Sequence, residues 1–281
     1  MSPAAKSAWV IGGSGFLGSV ILELCHSAGW RTLTIDPACS GAAQHELCGH
    51  GGNISILRAA FTRLAPQVVF FCSATRGGDV SAYRRAYWEP VVACAEIAPQ
   101  ARLVFCSSSA VYTSSGEVTE ESCISGETLL STGSERHRVL MEAEAAVLAA
   151  GGVVGRLSAL YGPGRCELLR RHLAGESQLP GGPDRVLNYV HVQDAARALL
   201  LLGEAEFLPH RVYNICAESF TQAQAYSMLE ELTGKTMTPT VAPIGRRGMS
   251  DHRVSSARLR SELGWRPLIS WRDFVCSHTS A

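Results

Sequence analysis

What this sequence lacks is a surplus of either charge. Its 25 Lys and Arg residues balance 25 Asp and Glu, and neither end carries a block of one sign. The electrostatic footprint of a nucleic-acid or anionic-membrane binder is therefore missing. No run approaches the roughly 18 uninterrupted apolar residues of a membrane span; the stretch from Ala195 to Leu202 is short and contains Arg197. The ten cysteines are scattered, without the paired spacing of a disulfide framework or a zinc ribbon. They read as small buried hydrophobes of a reducing cytoplasm. Cys39, His45, Cys48 and His50 lie within twelve residues and are zinc-ligand types. The two-residue spacings typical of structural zinc are absent, however, and Cys48 also fits a short strand, so no metal is expected. The first residues superficially resemble a secretory signal, one Lys before an apolar stretch, but glycines interrupt that stretch and no small-residue cleavage site precedes Glu23. They read as a first βα unit. These absences leave a soluble, cytoplasmic protein whose partner is a small molecule, with no role for nucleic acid or membrane.

Glycine is present where it carries meaning. Gly12-Gly13-Ser14-Gly15-Phe16-Leu17-Gly18 follows the apolar run Ala8-Trp9-Val10-Ile11 and precedes an amphipathic stretch, the order strand, glycine turn, helix. Gly12 permits the tight turn, Gly15 lets backbone N–H groups approach a pyrophosphate, and Gly18 lets the helix press against the sheet. Phe16 and Leu17 fall in the helical turn that faces the phosphates. A second β run, Arg31 to Ile35, leads to Asp36, 18 residues after Gly18. A carboxylate there binds an adenosine ribose 2′-OH and repels a 2′-phosphate, which favours NAD over NADP. The other reading of Asp36 is a turn former before Pro37.

Beyond Asp36 the pattern predicts a weak strand at His45 to Gly49, a helix from Asn53 to Leu64, and a buried strand from Gln67 to Cys72. A helix from Asp79 to Ile97 follows, kinked or divided at Pro90, then a strand from Arg102 to Cys106. Thr113 to Thr132 is a polar loop of the kind that carries sites. A helix from Gly133 to Ala150 and a strand from Val153 to Leu157 complete the alternation. The fold class is α/β, a doubly wound parallel sheet of the Rossmann type. Past residue 160 the alternation loosens into a small lobe capping the strand ends. The expected domains are 1–160, dinucleotide-binding, and 161–281, mainly substrate-binding with some segments returning to the sheet. A chain of 281 residues buries an ample core in either arrangement.

Five further segments stand in order: Phe105-Cys106-Ser107-Ser108-Ser109-Ala110-Val111-Tyr112, Arg156-Leu157-Ser158-Ala159-Leu160-Tyr161-Gly162-Pro163-Gly164, Asn188-Tyr189-Val190-His191-Val192-Gln193-Asp194, Tyr213-Asn214-Ile215 and Leu263-Gly264-Trp265-Arg266-Pro267. With the glycine motif and Asp36 they resemble the extended short-chain dehydrogenase/reductase superfamily, the NAD-dependent epimerase/dehydratase group, from Val10 to about Trp271. The resemblance implies an oxidoreductase or epimerase-like enzyme using NAD, with NADP less favoured, on a small hydroxyl or carbonyl substrate, sugar-derived ones included. It implies cofactor contacts at Asn53-Ile54, in the place of an Asp-hydrophobic pair that meets the adenine, and at Cys72, Ser73 and Ala74. Relatives commonly dimerise through helices matching Asp79 to Ile97 and Gly133 to Ala150, so a homodimer is among the expectations.

The family's chemistry uses a Tyr, a Lys four residues later that lowers its pKa, and a Ser or Thr on the same substrate oxygen. Counting from Val111-Tyr112 makes Ser108 the hydroxyl. The Tyr and Lys are missing: no Tyr lies between Tyr112 and Tyr161. If Glu142 takes the place of the Glu that follows the Lys by four residues, Arg138 stands at the Lys position and Ser134 at the Tyr position. Arg138 supplies a fixed charge but no proton relay. His137 titrates in the right range and is a substitute acid/base candidate, followed by Tyr112, then Cys106 and Cys123. Ser109-Ala110 replaces the Asp-Glu pair of sugar-nucleotide dehydratases, and Asn188 replaces an Arg that pairs a substrate diphosphate. A nucleotide-sugar substrate is thereby disfavoured. The competing reading is a catalytically silent dinucleotide-binding sensor or partner-binding subunit.

Overall fold

The computed structural model describes residues 5–38, 45–75, 77–122, 135–176, 178–236, 240–242 and 251–279. The first stretch of chain builds β1 (Ser7–Ile11), α1 (Phe16–Ser27), β2 (Arg31–Asp36), β3 (His45–Cys48), α2 (Ile54–Arg63), β4 (Val68–Phe71), α3 (Val80–Tyr83), α4 (Glu89–Ile97) and β5 (Arg102–Ser108). Then come β6 (Gly116–Val118), α5 (Glu135–Ala149), β7 (Val153–Leu157), β8 (Ala159–Tyr161), α6 (Glu167–Leu173), β9 (Gln178–Pro180), β10 (Val186–His191) and α7 (Val192–Glu204). The chain continues through β11 (Val212–Ile215), β12 (Glu218–Thr221), α8 (Gln222–Thr233), β13 (Thr240–Ala242), β14 (His252–Val254), α9 (Ala257–Leu263) and α10 (Trp271–Thr279).

Seven strands form one sheet in the order β11-β7-β5-β4-β1-β2-β3. The pairings β3 to β2, β2 to β1, β1 to β4 and β4 to β5 are parallel. Strands covered on both faces must be apolar throughout, and Trp9, Val10, Ile11, Val69, Phe70, Val104 and Phe105 are at most 1% exposed. The indole of Trp9 still finds an acceptor, the Leu64 carbonyl at 2.7 Å. The order reverses between β1 and β4, and such a switch point opens a crevice at the strands' C-terminal ends where doubly wound proteins bind ligands. Gly12 follows β1 and Cys72 follows β4, so both stand at that crevice.

Contacts divide the chain into two compact units, Met1–Val111 with Ile124–Arg156 and Ala196–Tyr213, and Tyr112–Cys123 with Leu157–Ala195 and Asn214–Ala281. In the first, the expected helix from Asp79 to Ile97 is broken upstream of Pro90. Arg84–Trp88 forms a π turn between α3 and α4, in which the Glu89 N–H reaches back to the Arg84 carbonyl, and Pro90 sits in the first turn of α4. A proline has no N–H for the carbonyl four residues earlier and its ring crowds that carbonyl. The backbone accommodates this by widening one turn.

The second unit holds a three-stranded sheet ordered β12-β10-β8 over a core of Tyr161, Phe220, Leu229, Trp271 and Phe274. Two motif residues prove to be structural fasteners there. Asp194, fully buried, accepts from the backbone N–H groups of Leu268 and Ile269, and Asn214 accepts from the Tyr112 hydroxyl at 2.6 Å. Of the polar segment Thr113 to Thr132, residues 113–122 are described; they include β6, paired with β14, and a 3-10 turn at Glu120–Ser122. The strands β6, β8, β9, β13 and β14 span three residues each, too few for a periodic signal.

Among the described residues no helix is long and apolar enough to cross a membrane. The reading of all ten cysteines as reduced is corrected at Cys48, which is disulfide-bonded. Cys48 is exposed on the edge strand β3, where a thiol is accessible for pairing. Cys25, Cys72, Cys94, Cys106, Cys166, Cys216 and Cys276 are free, and all but Cys276 lie at least partly inside the fold.

Candidate active site

The glycine turn is dictated by crowding. Gly12 has φ +86, a conformation L side chains rarely adopt, and a Cβ there would stand 2.7 Å from the Ser73 nitrogen. A Cβ on Gly18 would lie 2.2 Å from the Gly12 carbonyl oxygen, and one on Gly13 1.9 Å from Thr34 Oγ1. Gly13, whose need arises chiefly from Thr34 on β2, is not distinguished by the sequence pattern. Gly15 is different: its Cβ would meet only the Gly12 oxygen, at 3.2 Å. It opens α1 with no side chain capping the helix. The positive end of the helix dipole is thus left to an anion from outside.

Asp36, 7% exposed, lies beside this turn. Its Oδ2 accepts from the Ser14 N–H at 3.1 Å and its Oδ1 from Ala38 N–H at 2.9 Å. A carboxylate has about four acceptor positions, so capacity for ribose hydroxyls remains. Asn53 is the N-cap of α2, and its Oδ1 accepts from Ser55 and Ile56 N–H groups at 3.0 and 3.2 Å. The side-chain carbonyl of Asn53 is therefore occupied by the helix, and its amide NH₂ is the group left for a base. Ile54 begins α2 beside it.

At the end of β4, the Cys72 N–H bonds the Ile11 carbonyl at 2.8 Å, carrying the pairing with β1 past the strand. Cys72 Sγ and Cys106 Sγ are 3.8 Å apart. The hydrogen bond to Cys106, with burial, pushes the Cys72 thiol well up, so it stays protonated and unreactive at neutral pH. Ser73 is half-buried and Ala74 exposed. At the end of β5, alternation sends the serines apart. Ser107 is buried and donates to Glu144 Oε1 at 2.5 Å. Half-buried Ser108 accepts from the Ala110 N–H at 3.2 Å.

On α5 the structure separates two glutamates. Glu142, on which the register of Arg138 and Ser134 was based, is exposed and pairs with Arg84 at 2.5 Å. Glu144 is buried, and bonds Arg156 Nη2 at 2.7 Å and Nε at 3.1 Å. Arg138 pairs with Glu135 of its own helix at 3.6 Å, its side chain 39% exposed. His137 is half-buried, and burial lowers its pKa. Ser134 lies outside the described residues, as does Cys123. Arg136 donates to the Gly78 carbonyl and holds its guanidinium 5.4 Å from the Tyr83 ring centroid. Tyr112, 1% exposed and bonded to Asn214, is a structural tyrosine. The buried trio Ser107, Glu144 and Arg156 had no sequence signal beyond its polar residue types.

Fold and turn together define a dinucleotide-binding protein of the doubly wound class. The model of the NAD dependent epimerase/dehydratase family matches residues 8–216. The chain belongs to this family. A UDP-glucose 4-epimerase from Corynebacterium glutamicum is 32% identical over 84 residues, 29% of this chain and 26% of that protein. The match thus spans about a quarter of that relative's length. Among solved structures, MoeE5 in complex with UDP-glucose and NAD is similar with a TM-score of 0.79 at 24% identity, covering 96% of each chain. The dTDP-glucose 4,6-dehydratase from Bacillus anthracis in complex with NAD has a TM-score of 0.79 at 19% identity, covering 97% of this chain and 95% of that one. At these identities the likeness is one of fold.

Proposed function

We propose that the chain catalyses NAD-dependent oxidation, reduction or epimerisation at an alcohol or carbonyl carbon of a small, sugar-derived substrate. The observation that carries this reading is the Ser14 N–H bonded to Asp36. It joins the glycine turn to the carboxylate, so that one rigid unit offers helix dipole, uncovered backbone and acid together. In this reading Gly12, Gly15, Phe16, Leu17 and Gly18 hold the pyrophosphate, Asp36 the adenosine ribose and Asn53 with Ile54 the adenine. Cys72, Ser73 and Ala74 line the nicotinamide half, and Ser108 meets the reacting oxygen. NAD supplies the hydride acceptor, and the protein must position the substrate and manage its proton.

The register of α5 is read from Glu144 rather than Glu142. A glutamate that anchors α5 against the sheet must lie on the buried face of the helix, and Glu144 is buried while Glu142 is exposed. Counted back from Glu144 in fours, buried Leu140 takes the Lys place and Arg136, exposed one turn earlier, the Tyr place, with Ser134, His137 and Arg138 on the flanks. A cation stands where the family has its phenol.

Nucleotide-sugars of the kind named for the similar structures are disfavoured by Asn188. Its amide donates to the His252 carbonyl and accepts from Ser219 and the Val254 N–H, leaving little for a diphosphate. Calorimetry with NAD and NADP, followed by absorbance at the NADH wavelength with a panel of free and nucleotide-linked sugars, tests the proposal. Tight NAD binding with turnover of a free sugar or small polyol supports it. NAD binding without turnover of any alcohol or carbonyl would favour a silent sensor.

A further inference from the structure

We propose that the phenol missing from α5 is supplied from the neighbouring helix by Tyr87, whose Oη hydrogen-bonds the reacting oxygen of the substrate and takes or returns its proton. This rests on the NAD site proposed above.

The chain has seven tyrosines. Tyr112, Tyr161 and Tyr213 are at most 1% exposed. The Tyr112 and Tyr161 hydroxyls are spent on Asn214 and the Ile269 carbonyl. Tyr189 lies flat against Trp271, ring centroids 5.2 Å apart at 9°, and burial raises its pKa; burial does the same to Tyr226 in the same unit. Tyr83 and Tyr87 are left, both half-buried in the unit that carries the glycine turn.

Tyr87 is the one aimed at the crevice. Its Oη accepts from the Thr75 N–H at 3.4 Å. Thr75 directly follows Ala74, in the segment whose Ser73 nitrogen closes on Gly12. The Tyr87 ring meets Phe105 edge-on, centroids 6.5 Å apart at 88°, three residues before Ser108 on β5. The phenol oxygen therefore sits just past the C-terminal end of β4, against Thr75, with its ring on Phe105 of the adjoining strand β5. It is carried there by the π turn of Arg84–Trp88, a widened helical turn of a kind that recurs at functional sites.

A phenol needs a nearby cation to act as a base near neutrality. Arg136 is the cation on this side of the paired rings: its guanidinium is 5.4 Å from the Tyr83 centroid, and Tyr83 is 5.3 Å from Tyr87. Cation and phenol have exchanged helices. In alcohol oxidation the substrate O–H bond breaks and its proton passes to Tyr87 Oη, while the hydride on the same carbon is taken by the dinucleotide and the C=O bond forms. In reduction the same atoms move in reverse.

Proton release on cofactor binding tests this without a substrate, because the positive nicotinamide favours the phenolate. NAD is titrated calorimetrically into wild type, Tyr87→Phe and Tyr83→Phe at pH 9, in two buffers of different ionisation enthalpy. The expected result is a fraction of a proton released per NAD bound in wild type and Tyr83→Phe, and none in Tyr87→Phe, with NAD affinity changed by less than about threefold. Should Tyr87→Phe fail to fold, Tyr87→His serves instead, its imidazole moving the release toward neutral pH. Release that persists in Tyr87→Phe, or that Tyr83→Phe removes, overturns the assignment, as does wild-type binding without release. Absence of any NAD binding by wild type overturns the cofactor site as well.

Discussion

Glu144 Oε2 and Arg156 Nη2 lie 2.7 Å apart with side chains 2% and 4% exposed, an ion pair that locks α5 onto β7 inside the first unit. Ser107 completes it from β5. Three neighbouring elements of the site are thus fixed by one polar cluster, and the position of α5 along the sheet is set by Glu144.

Removing one partner of a buried pair strands the other charge and costs about 3–5 kcal/mol. Glu144→Ala is expected to fall in that range in urea unfolding. Glu142→Ala, which loses only an exposed contact to Arg84, is expected to stay within about 1 kcal/mol. Equal losses for the two variants would remove the basis for reading the register from Glu144.

Gly15→Val tests the phosphate site. Its added Cβ meets only the Gly12 oxygen at 3.2 Å, so the fold survives while the backbone is covered. NAD affinity is expected to drop on the order of 10²-fold, about 2.7 kcal/mol. Gly18→Ala, whose Cβ would lie 2.2 Å from the Gly12 carbonyl oxygen, is expected to lower the unfolding midpoint as well. Unchanged calorimetric affinity in folded Gly15→Val would place the cofactor elsewhere.

Asp36→Asn keeps the size of the side chain and one acceptor oxygen for the two N–H groups that Asp36 now serves, while removing the charge. A carboxylate that accepts from Ser14 N–H is positioned to repel a 2′-phosphate. Wild type is expected to prefer NAD over NADP by more than about tenfold, 1.4 kcal/mol, and the variant to lose most of that gap. Comparable dissociation constants in wild type would mean that the carboxylate serves the turn alone.

Three histidines make the fold sensitive to acid. Burial lowers the pKa of His137, His172 and His252, so below the unfolded value of about 6.5 the unfolded chain binds protons that the folded chain refuses. Their contribution is complete above about 6.5 and is lost as pH falls through that value toward the folded pKa values. Urea midpoints are expected to be flat from pH 8 to 7 and to decline toward pH 5. His172→Gln, replacing a ring that bonds Thr233 at 2.7 Å, is expected to make the decline shallower. A stability that rises on acidification would contradict this sign.

The sequence by itself determined the α/β alternation, the glycine turn, Asp36 at the end of β2 and the family, because each is local: a period, a turn conformation, a residue at a strand's end. It also marked Ser108, whose place is counted within one strand and the turn after it. What only the tertiary structure decided involves residues brought together from afar. Glu142 and Glu144 are two positions apart and equivalent in composition, yet they lie about 200° apart around the helix, and only contact with Arg156 and Ser107 shows which one faces inward. The same holds for Asn188, Asn214 and Tyr112, whose hydrogen bonds are consumed between strands distant in sequence. The disulfide at Cys48 depends on exposure at a sheet edge, and Tyr87 on a π turn that Pro90 forces upstream of itself. Chain neighbours fix conformation through sterics, whereas the availability of a polar group is fixed by whatever folding has placed against it.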